Sequence, residues 1–517
     1  MFVKKIKNRS GSTSIVVSEK NHGKYRRLAT IGVARTSVEL YELENRAKEW
    51  MRSYEERCHP TLDFDGRELM RKEAEREAAD HFFSSIDNVQ LNGCELILER
   101  VFDLIGFNAI SDDVFRHLVL SRLSHPASKA ATVEYLKNYF DNDVNLSKIY
   151  RYLNKLADTQ KSLVESISVM HTKQVLGGTV GVVFYDVTTI YFETDTQDDL
   201  RKTGFSKEGR HRNPQIILGL LVSMEGYPLA YCVHEGNKFE GHTMLPVINE
   251  FVAKYGIDGF TVVADSGLMN EGNIRDLEVN HYNYIIGNRI KNESDTIKKQ
   301  ILSLPKRDGA MHEIDKGDGR RLLVGYSEKR AHKDAENRKE GVKRLEKNYK
   351  SGKLTKENVN RRGYNKFLHI TGDTKVEINY ERIEQDAQWD GLKGYITNTD
   401  KPTAEIYEYY HDLWNVERSF RIAKNKIEIR PVFHFTRKRI DAHICICFVA
   451  LKVYKELERL LKRSGIDMSV DKVLAMAKTV TTISMKLPSG NKVSRTVLLK
   501  RHNKIKKLFL DDFWGMQ

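Results

Sequence analysis

Two apolar, β-branched runs, each interrupted by one aspartate, limit what this chain can fold into more than any other feature. Val182, Val183 and Phe184 lead to Asp186, and the apolar pattern resumes in Ile190, Tyr191 and Phe192. That is the pattern of two strands in a buried sheet, with Asp186 at a strand end or in a tight connection. Phe260, Val262, Val263 and Ala264 form a second short strand that stops at Asp265, and Ser266-Gly267 suits a turn into a helix. Open α/β sheets bind their ligands at such carboxyl ends of strands.

A third acid belongs to a helix. From Ala404 to Ile427 the residues Ile406, Tyr409, Leu413, Val416, Phe420, Ala423 and Ile427 recur every three or four positions, so one continuous amphipathic helix is expected, with Glu417 at the edge of its apolar stripe. Tyr410 lies seven residues before Glu417 and Lys424 seven after, so the three share one side of the helix. A lone carboxylate in such a place is ordinarily a solvated flank. An acid, a tyrosine and a lysine on one line point instead to function.

The string Tyr410-x2-Leu413-x3-Glu417-x6-Lys424 resembles the Y-x2-R-x3-E-x6-K signature of a large group of bacterial insertion-sequence transposases that carry a DDE catalytic triad. The similarity extends to Gly219–Thr243, to VVADSGL, to Tyr282–Lys291 and to Glu428–Leu451, and covers most of residues 95 to 455. The resemblance implies an α/β protein with a ribonuclease-H-like catalytic core, in which Asp186, Asp265 and Glu417 are both the catalytic residues and the ligands of two Mg²⁺ ions, with Mn²⁺ able to substitute. Such an enzyme uses one ion to activate water or a hydroxyl and the other to stabilise the leaving oxygen, and hard carboxylate oxygens suit these metals. Asp186 would bridge the ions. Water first frees a 3′-hydroxyl at the element's end, and that hydroxyl then attacks target DNA. Tyr410 and Lys424 are the expected DNA contacts. Where the signature has arginine this chain has Leu413, which its stripe position assigns to core packing; Arg418 and Arg421 follow Glu417 on the same helix as substitutes for the DNA grip, without the signature spacing.

Charge fits a polyanionic partner. The 517 residues carry 85 Lys plus Arg against 71 Asp plus Glu, a net charge of +14, with a pI near 9.2, which favours nucleic acid electrostatically. From Gly325 to Lys366 there are 14 basic and 6 acidic residues, and from Lys486 to Lys507 there are 8 basic and none acidic. Each stretch alone reads equally well as a solvated surface; with the triad they become phosphate-contact surfaces. The partners expected are double-stranded DNA, as terminal inverted repeats and as target, and a second copy in a synaptic homodimer. With no G-x4-G-K-[ST] motif, ATP use is not expected. Five cysteines give no disulfide framework. MFVKKIKNRSG lacks the apolar segment of a signal peptide, and Ile444–Leu451 is far short of a membrane span, so a cytoplasmic, nucleoid-associated protein is expected.

Six regions follow. Residues 1–93 read as a small β meander plus charged helices, and 94–175 as a helical block with a possible DNA-binding role. Residues 176–290 would be the first part of the catalytic core, 291–392 an inserted domain, 393–460 the second part with the Glu417 helix, and 461–517 a basic C-terminal region. In the helical block, Ser147, Lys148, Tyr150, Arg151 and Lys155 suit a helix-turn-helix reader, and a plain bundle packed on the core is an equal reading. The gap of 152 positions from Asp265 to Glu417 is too long for a loop. Within the insertion, Trp389 and Tyr326 are either core aromatics or stacking partners of an unpaired base. His443, Cys445 and Cys447 lack metal-site spacing and read as core, and Asp195, Asp198 and Asp199 as an exposed loop. Two other functions share this sequence pattern: an inactive DNA-binding relative, and a metal-dependent nuclease without strand transfer.

Overall fold

A computed structural model describes residues 1–509 apart from 22, 59–66, 141, 207–208, 258, 269, 356–357, 361–362 and 372–374. Residues 356–357 and 361–362 of the first basic stretch, and 510–517 of the C-terminal region, therefore lie outside the described residues. The chain divides into two compact units, one of residues 1–87 with 485–492, the other of 88–484 with 493–517. In the first, β1 (Phe2–Lys7), β2 (Thr13–Asn21) and β3 (Lys24–Ala34) form an antiparallel meander. Ile15 and Val17 alternate inward from β2 and pack on Ala47 of α1 (Ser37–Cys58). The charged helix α2 (Arg67–Ser84) follows.

After β4 (Ile86–Gln90), which runs through the boundary at Asp87, come five helices of the second unit, α3 (Gly93–Ile105), α4 (Asp113–Ser124), α5 (Lys129–Phe140), α6 (Leu146–Lys155) and α7 (Lys161–Val175). Next come β5 (Val182–Tyr191), β6 (Gln215–Ser223), β7 (Pro228–Glu235), α8 (Met244–Tyr255), β8 (Thr261–Ala264), α9 (Glu271–Val279) and β9 (Asn283–Asn288). In the sheet these strands run in the order β7-β6-β5-β8-β9; β5 is antiparallel to β6 and β6 to β7, whereas β5, β8 and β9 are parallel. Three antiparallel strands continued by two parallel crossovers on the other side of the first strand make a ribonuclease-H-like core.

The stretch after β9 adds to the same sheet. It contains α10 (Asp295–Ser303), β10 (Met311–Asp315), β11 (Arg321–Tyr326), α11 (Glu328–Lys350), the hairpin β12 (Leu368–Thr371) and β13 (Lys375–Ile378), and α12 (Tyr380–Ala387). β14 (Leu392–Thr397) then pairs antiparallel with β9, and β11 and β10 extend the sheet outward to eight strands. The hairpin and α11 share a small core of Leu345, Phe367, Leu368 and Val376. Trp389 is packed beside Leu322 and Val324 of β11.

After β14 come α13 (Thr403–His411), α14 (Trp414–Asn425) and α15 (Arg437–Arg463), then α16 (Val470–Ala477), β15 (Thr481–Lys486), β16 (Lys492–Val497) and a short α17 (Asn503–Lys506). The single helix expected from Ala404 to Ile427 is thus two helices. At Asp412–Leu413 the backbone tightens to i→i−3 bonds, Leu413 N to Tyr410 O at 3.2 Å and Val416 N to Leu413 O at 3.1 Å, which lets Leu413 turn into the core at 6% exposure. α15 is buried nearly all round from Ile440 to Leu457, the mark of a central helix. It packs on α3, α4, α6 and α7, on α14, and on the sheet at β7, so the helical block is a bundle built around α15. His443, Cys445 and Cys447 are buried there, as their spacing suggests.

A buried carboxylate fixes α15 to the elements behind the sheet. Glu456 accepts from the Tyr227 hydroxyl at 2.5 Å and from Arg459 at 2.6 Å, and faces His171 of α7 at 3.7 Å. Burial alone would raise this carboxyl, but His171, Arg459 and Tyr227 outweigh it and hold it down at about 2. Because its folded value is depressed, the stabilisation is complete above the ordinary carboxylate range and is lost as pH falls towards 2. Glu456→Gln is expected to lower neutral-pH stability by roughly 3 kcal/mol and to flatten the wild type's loss of stability between about pH 5 and 2; chemical denaturation at several pH values checks both.

Candidate active site

Asp186 is not at a strand end. β5 is one continuous strand through it, because Val187, Thr188, Thr189 and Ile190 are buried and carry the pairing with β6 onward. Within β5 only Asp186 and Tyr191 are not fully buried. Side-chain alternation decides where Asp186 points. Val182 and Phe184 face the core shared with α14 and α15, Val183 and Tyr185 the opposite core under α8, and Asp186 has the parity of the first pair. In β8, Val263 likewise faces α14 and α15, whereas Val262 and Ala264 face away. Asp265, one residue beyond β8, has the parity of Val263.

Strand register brings the two acids together. Tyr185 pairs with Ala264 in the parallel ladder of β5 and β8, so Asp186 and Asp265 are the next residues on neighbouring strands. β8 ends here, which leaves Asp265 exposed and opens the sheet beside Asp186. On the far side, Ala264 pairs with Ile286 of β9, placing Gly287 next to Asp265. A Cβ at Gly287 would lie 2.5 Å from the Tyr410 hydroxyl and 2.9 Å from Ser266 N, so only glycine allows Tyr410 to lie across the strand. Tyr410 donates its hydroxyl to Asp265 Oδ1 at 2.9 Å. Burial, then the Asp265 charge and that hydrogen bond, push the phenol well above its ordinary value, so it stays a donor.

α14 packs over β5 and β6 and presents Glu417 to the same opening. Asp265, Tyr410, Leu413, Trp414 and Glu417 line one cavity of about 400 Å³. Lys393 and Arg330 line it too. Lys393 Nζ lies 4.4 Å from the Tyr410 ring centroid, and burial and Arg330 lower its pKa against the opposing charges of Asp265 and Glu417. Neither cation was evident from the sequence, since β14 and α11 reach the site only through the sheet pairing. A glycine inside the strand pattern YNYIIGN was the available sign of Gly287. Tyr326 also lines the cavity.

The remaining basic candidates are placed differently. Arg418 turns away from the cavity to pair with Glu458 of α15 and lies over the Trp414 ring. Arg421 is exposed on α14, and Lys424 is half-buried two turns after Glu417. In the loop after β5, Asp195 and Asp199 are exposed, and Asp198 pairs with Arg201.

The donors around the opening are hard carboxylate oxygens, the set that suits Mg²⁺ or Mn²⁺. Among the described residues no three His, Cys, Asp or Glu side chains form a single closed metal cluster. Carboxylates of this kind, completed by water and phosphate oxygens, are the donor set such ions take.

A family model described as a transposase DDE domain matches residues 179–452. The chain belongs to this family. The match runs from just before β5 into α15 and so spans all three acids of this DDE transposase. No curated protein matches it. Among solved structures, a cryo-EM structure of a piggyBac transposase synaptic complex with hairpin DNA is similar at a TM-score of 0.39 and 8% identity, over 71% of this chain and 70% of that one. The family match carries the assignment, and the strand order of the sheet independently agrees with it. Enzymes of this family work with divalent metals. Among the described residues no helix is long and apolar enough to cross a membrane.

Leu413, where the sequence signature has arginine, contacts the main core as well as the cavity wall. Leu413→Ala is expected to lower stability by about 3 kcal/mol, measured by denaturant unfolding, with a correspondingly lower Tm.

Proposed function

We propose that this DDE transposase excises an insertion-sequence element and joins it to target DNA by cut-and-paste phosphodiester hydrolysis and transesterification at the cavity beneath α14. The observation that carries the reading is the register that sets Asp186 beside Asp265 at the opening lined by Glu417. Asp186, Asp265 and Glu417 would hold two Mg²⁺ ions, which would supply Lewis-acid activation of the attacking oxygen and stabilisation of the leaving one.

The chain's other residues bind and orient. Tyr410 holds the Asp265 carboxylate through one oxygen and leaves the other to the opening. Lys393 and Arg330 supply positive charge on the wall where a scissile phosphate would lie, and Lys424 and Arg421 continue it along α14. Arg418, paired with Glu458, would reach DNA only by exchanging that partner. The same opening would serve water in the first step and the freed 3′-hydroxyl in the second. The substrates are the element's terminal inverted repeats and target DNA in the nucleoid, brought together by a homodimer in the synaptic complex. The six-region division of the chain is part of this reading, with 291–392 serving as an insertion that carries DNA contacts.

End-labelled DNA bearing the element's flanking repeats, incubated with Mg²⁺ or Mn²⁺, tests the proposal. Wild type should nick at the repeat boundary and join the labelled 3′ end to plasmid DNA, and EDTA should stop both. Asp186→Asn and Glu417→Gln should fold and bind DNA but cut at least roughly 10²-fold more slowly. Cleavage at the wild-type rate in either variant overturns the site, and cleavage without end joining leaves a nuclease.

A further inference from the structure

The segment Glu428–Thr436, EIRPVFHFT, links α14 to α15 and takes no part in the site above. Its side chains alternate: Val432 and His434 are buried, whereas Phe433 and Phe435 are 64% and 61% exposed. Behind it lies a second cavity, of about 210 Å³. Arg122 from α4 and Lys129, the first residue of α5, line it at 8% and 6% exposure, and among the described residues neither has an ion-pair partner or a hydrogen-bond acceptor. Arg430, His434 and His443 also line it, and Glu428 is the single acid in the lining.

Burying cations without counter-charge is costly, and the titrating groups register it. Burial and then Arg122 hold the Lys129 amine down at about 7, and burial with Lys129, Arg122 and Arg439 holds His434 at about 4. His443 donates Nε2–H to Ile429 O at 3.0 Å, and its buried Nδ1 has no partner among the described residues, so it would become a second donor on protonation. The first turn of the 12-residue helix α5 faces the cavity as well, Ser128 and Ala130 being in its wall; Ser128 accepts from Ala131 N at 3.2 Å, and the helix dipole is of the sign that favours an anion. An ammonium, a guanidinium fork and a helix N-terminus around one cavity match a phosphate group.

The surroundings decide between a free phosphate and one in a chain. Phe433 sits exposed at the rim. Arg439 covers the Tyr150 ring at 4.6 Å, and Lys148 and Arg151 are exposed on α6. A basic approach with an uncovered aromatic at its end is the arrangement that takes a nucleic-acid strand, base against ring and backbone against charge. We propose that this cavity receives one backbone phosphate of a DNA strand between Arg122 and Lys129, with a neighbouring base against Phe433. The proposal rests on DNA being the substrate and adds a contact outside the catalytic opening.

Fluorescence anisotropy of an oligonucleotide with the full-length protein in Ca²⁺, across a salt series, tests it alongside thermal unfolding with and without millimolar orthophosphate. Lys129→Met should bind roughly tenfold more weakly, with a log–log salt slope smaller by about one. Its Tm should rise, because an unpaired buried cation is gone, a sign opposite to that of a lost structural contact. Orthophosphate should raise the wild-type Tm and not that of Lys129→Met. Phe433→Ala, at an exposed position, should weaken binding about fivefold or more with Tm unchanged. Wild-type affinity and salt slope in folded Lys129→Met overturn the proposal, and if that variant does not fold, wild-type affinity in Phe433→Ala does so. Phosphate stabilisation with unchanged DNA binding in both variants would assign the cavity to free phosphate and also overturn it. Binding is read without cleavage, so failure of Asp186→Asn to abolish cutting would count against the catalytic reading alone.

Discussion

The parallel ladder between β5 and β8 is the constraint on which the site depends. Val182 to Tyr185 pair in order with Thr261 to Ala264, and a slip of one residue would send every side chain of one strand to the opposite face. The register is strongly specified because both faces are buried, Val183 and Val262 in one core and Phe184 and Val263 in the other. Two acids separated by 79 positions in sequence are adjacent as a by-product of that packing. Close-packed interiors resist small displacements, so the same hydrophobic contacts that fold the sheet hold the carboxylates in place.

The helical side of the site is fixed in a complementary way. α14 rests on β5 and β6 beneath it and on α15, and α15 in turn is enclosed by α3, α4, α6 and α7. The Glu456 network ties the same helix to Tyr227 and His171. Glu417 is thus exposed, yet mounted on a helix that packs against the largely buried α15. The tight turn at Asp412–Leu413 matters for the same reason: it allows Tyr410 to lie over Gly287 while Glu417, on the next helix, addresses the same cavity.

Much of this was legible in the residues, for identifiable reasons. The β-branched run before Asp265 and the three-to-four spacing around Glu417 are direct images of burial, and both gave the right element type. The error at Asp186 arose because an acid inside an apolar run looks like a strand end; in fact the antiparallel partner β6 continues past it and only β8 stops. The split between α13 and α14 left no mark because Leu413 satisfies the helical stripe in either conformation. Lys393 and Arg330 were out of reach for a different reason. Their place at the opening depends on β14 pairing with β9 and β11, a tertiary fact that no local pattern encodes.

The long excursion between β9 and β14 leaves and re-enters the sheet on adjacent antiparallel strands. Topologically it is an enlarged hairpin connection, so the closure distance is set by two hydrogen-bonded neighbours and not by what lies between them. Loop-closure entropy grows only slowly with length, and the position of Glu417 is established after the return. Whatever α10 and the β12–β13 hairpin become over generations, the third acid comes back to the same place. The fold thereby separates a part free to diverge in what it grips from a part that has to keep its geometry.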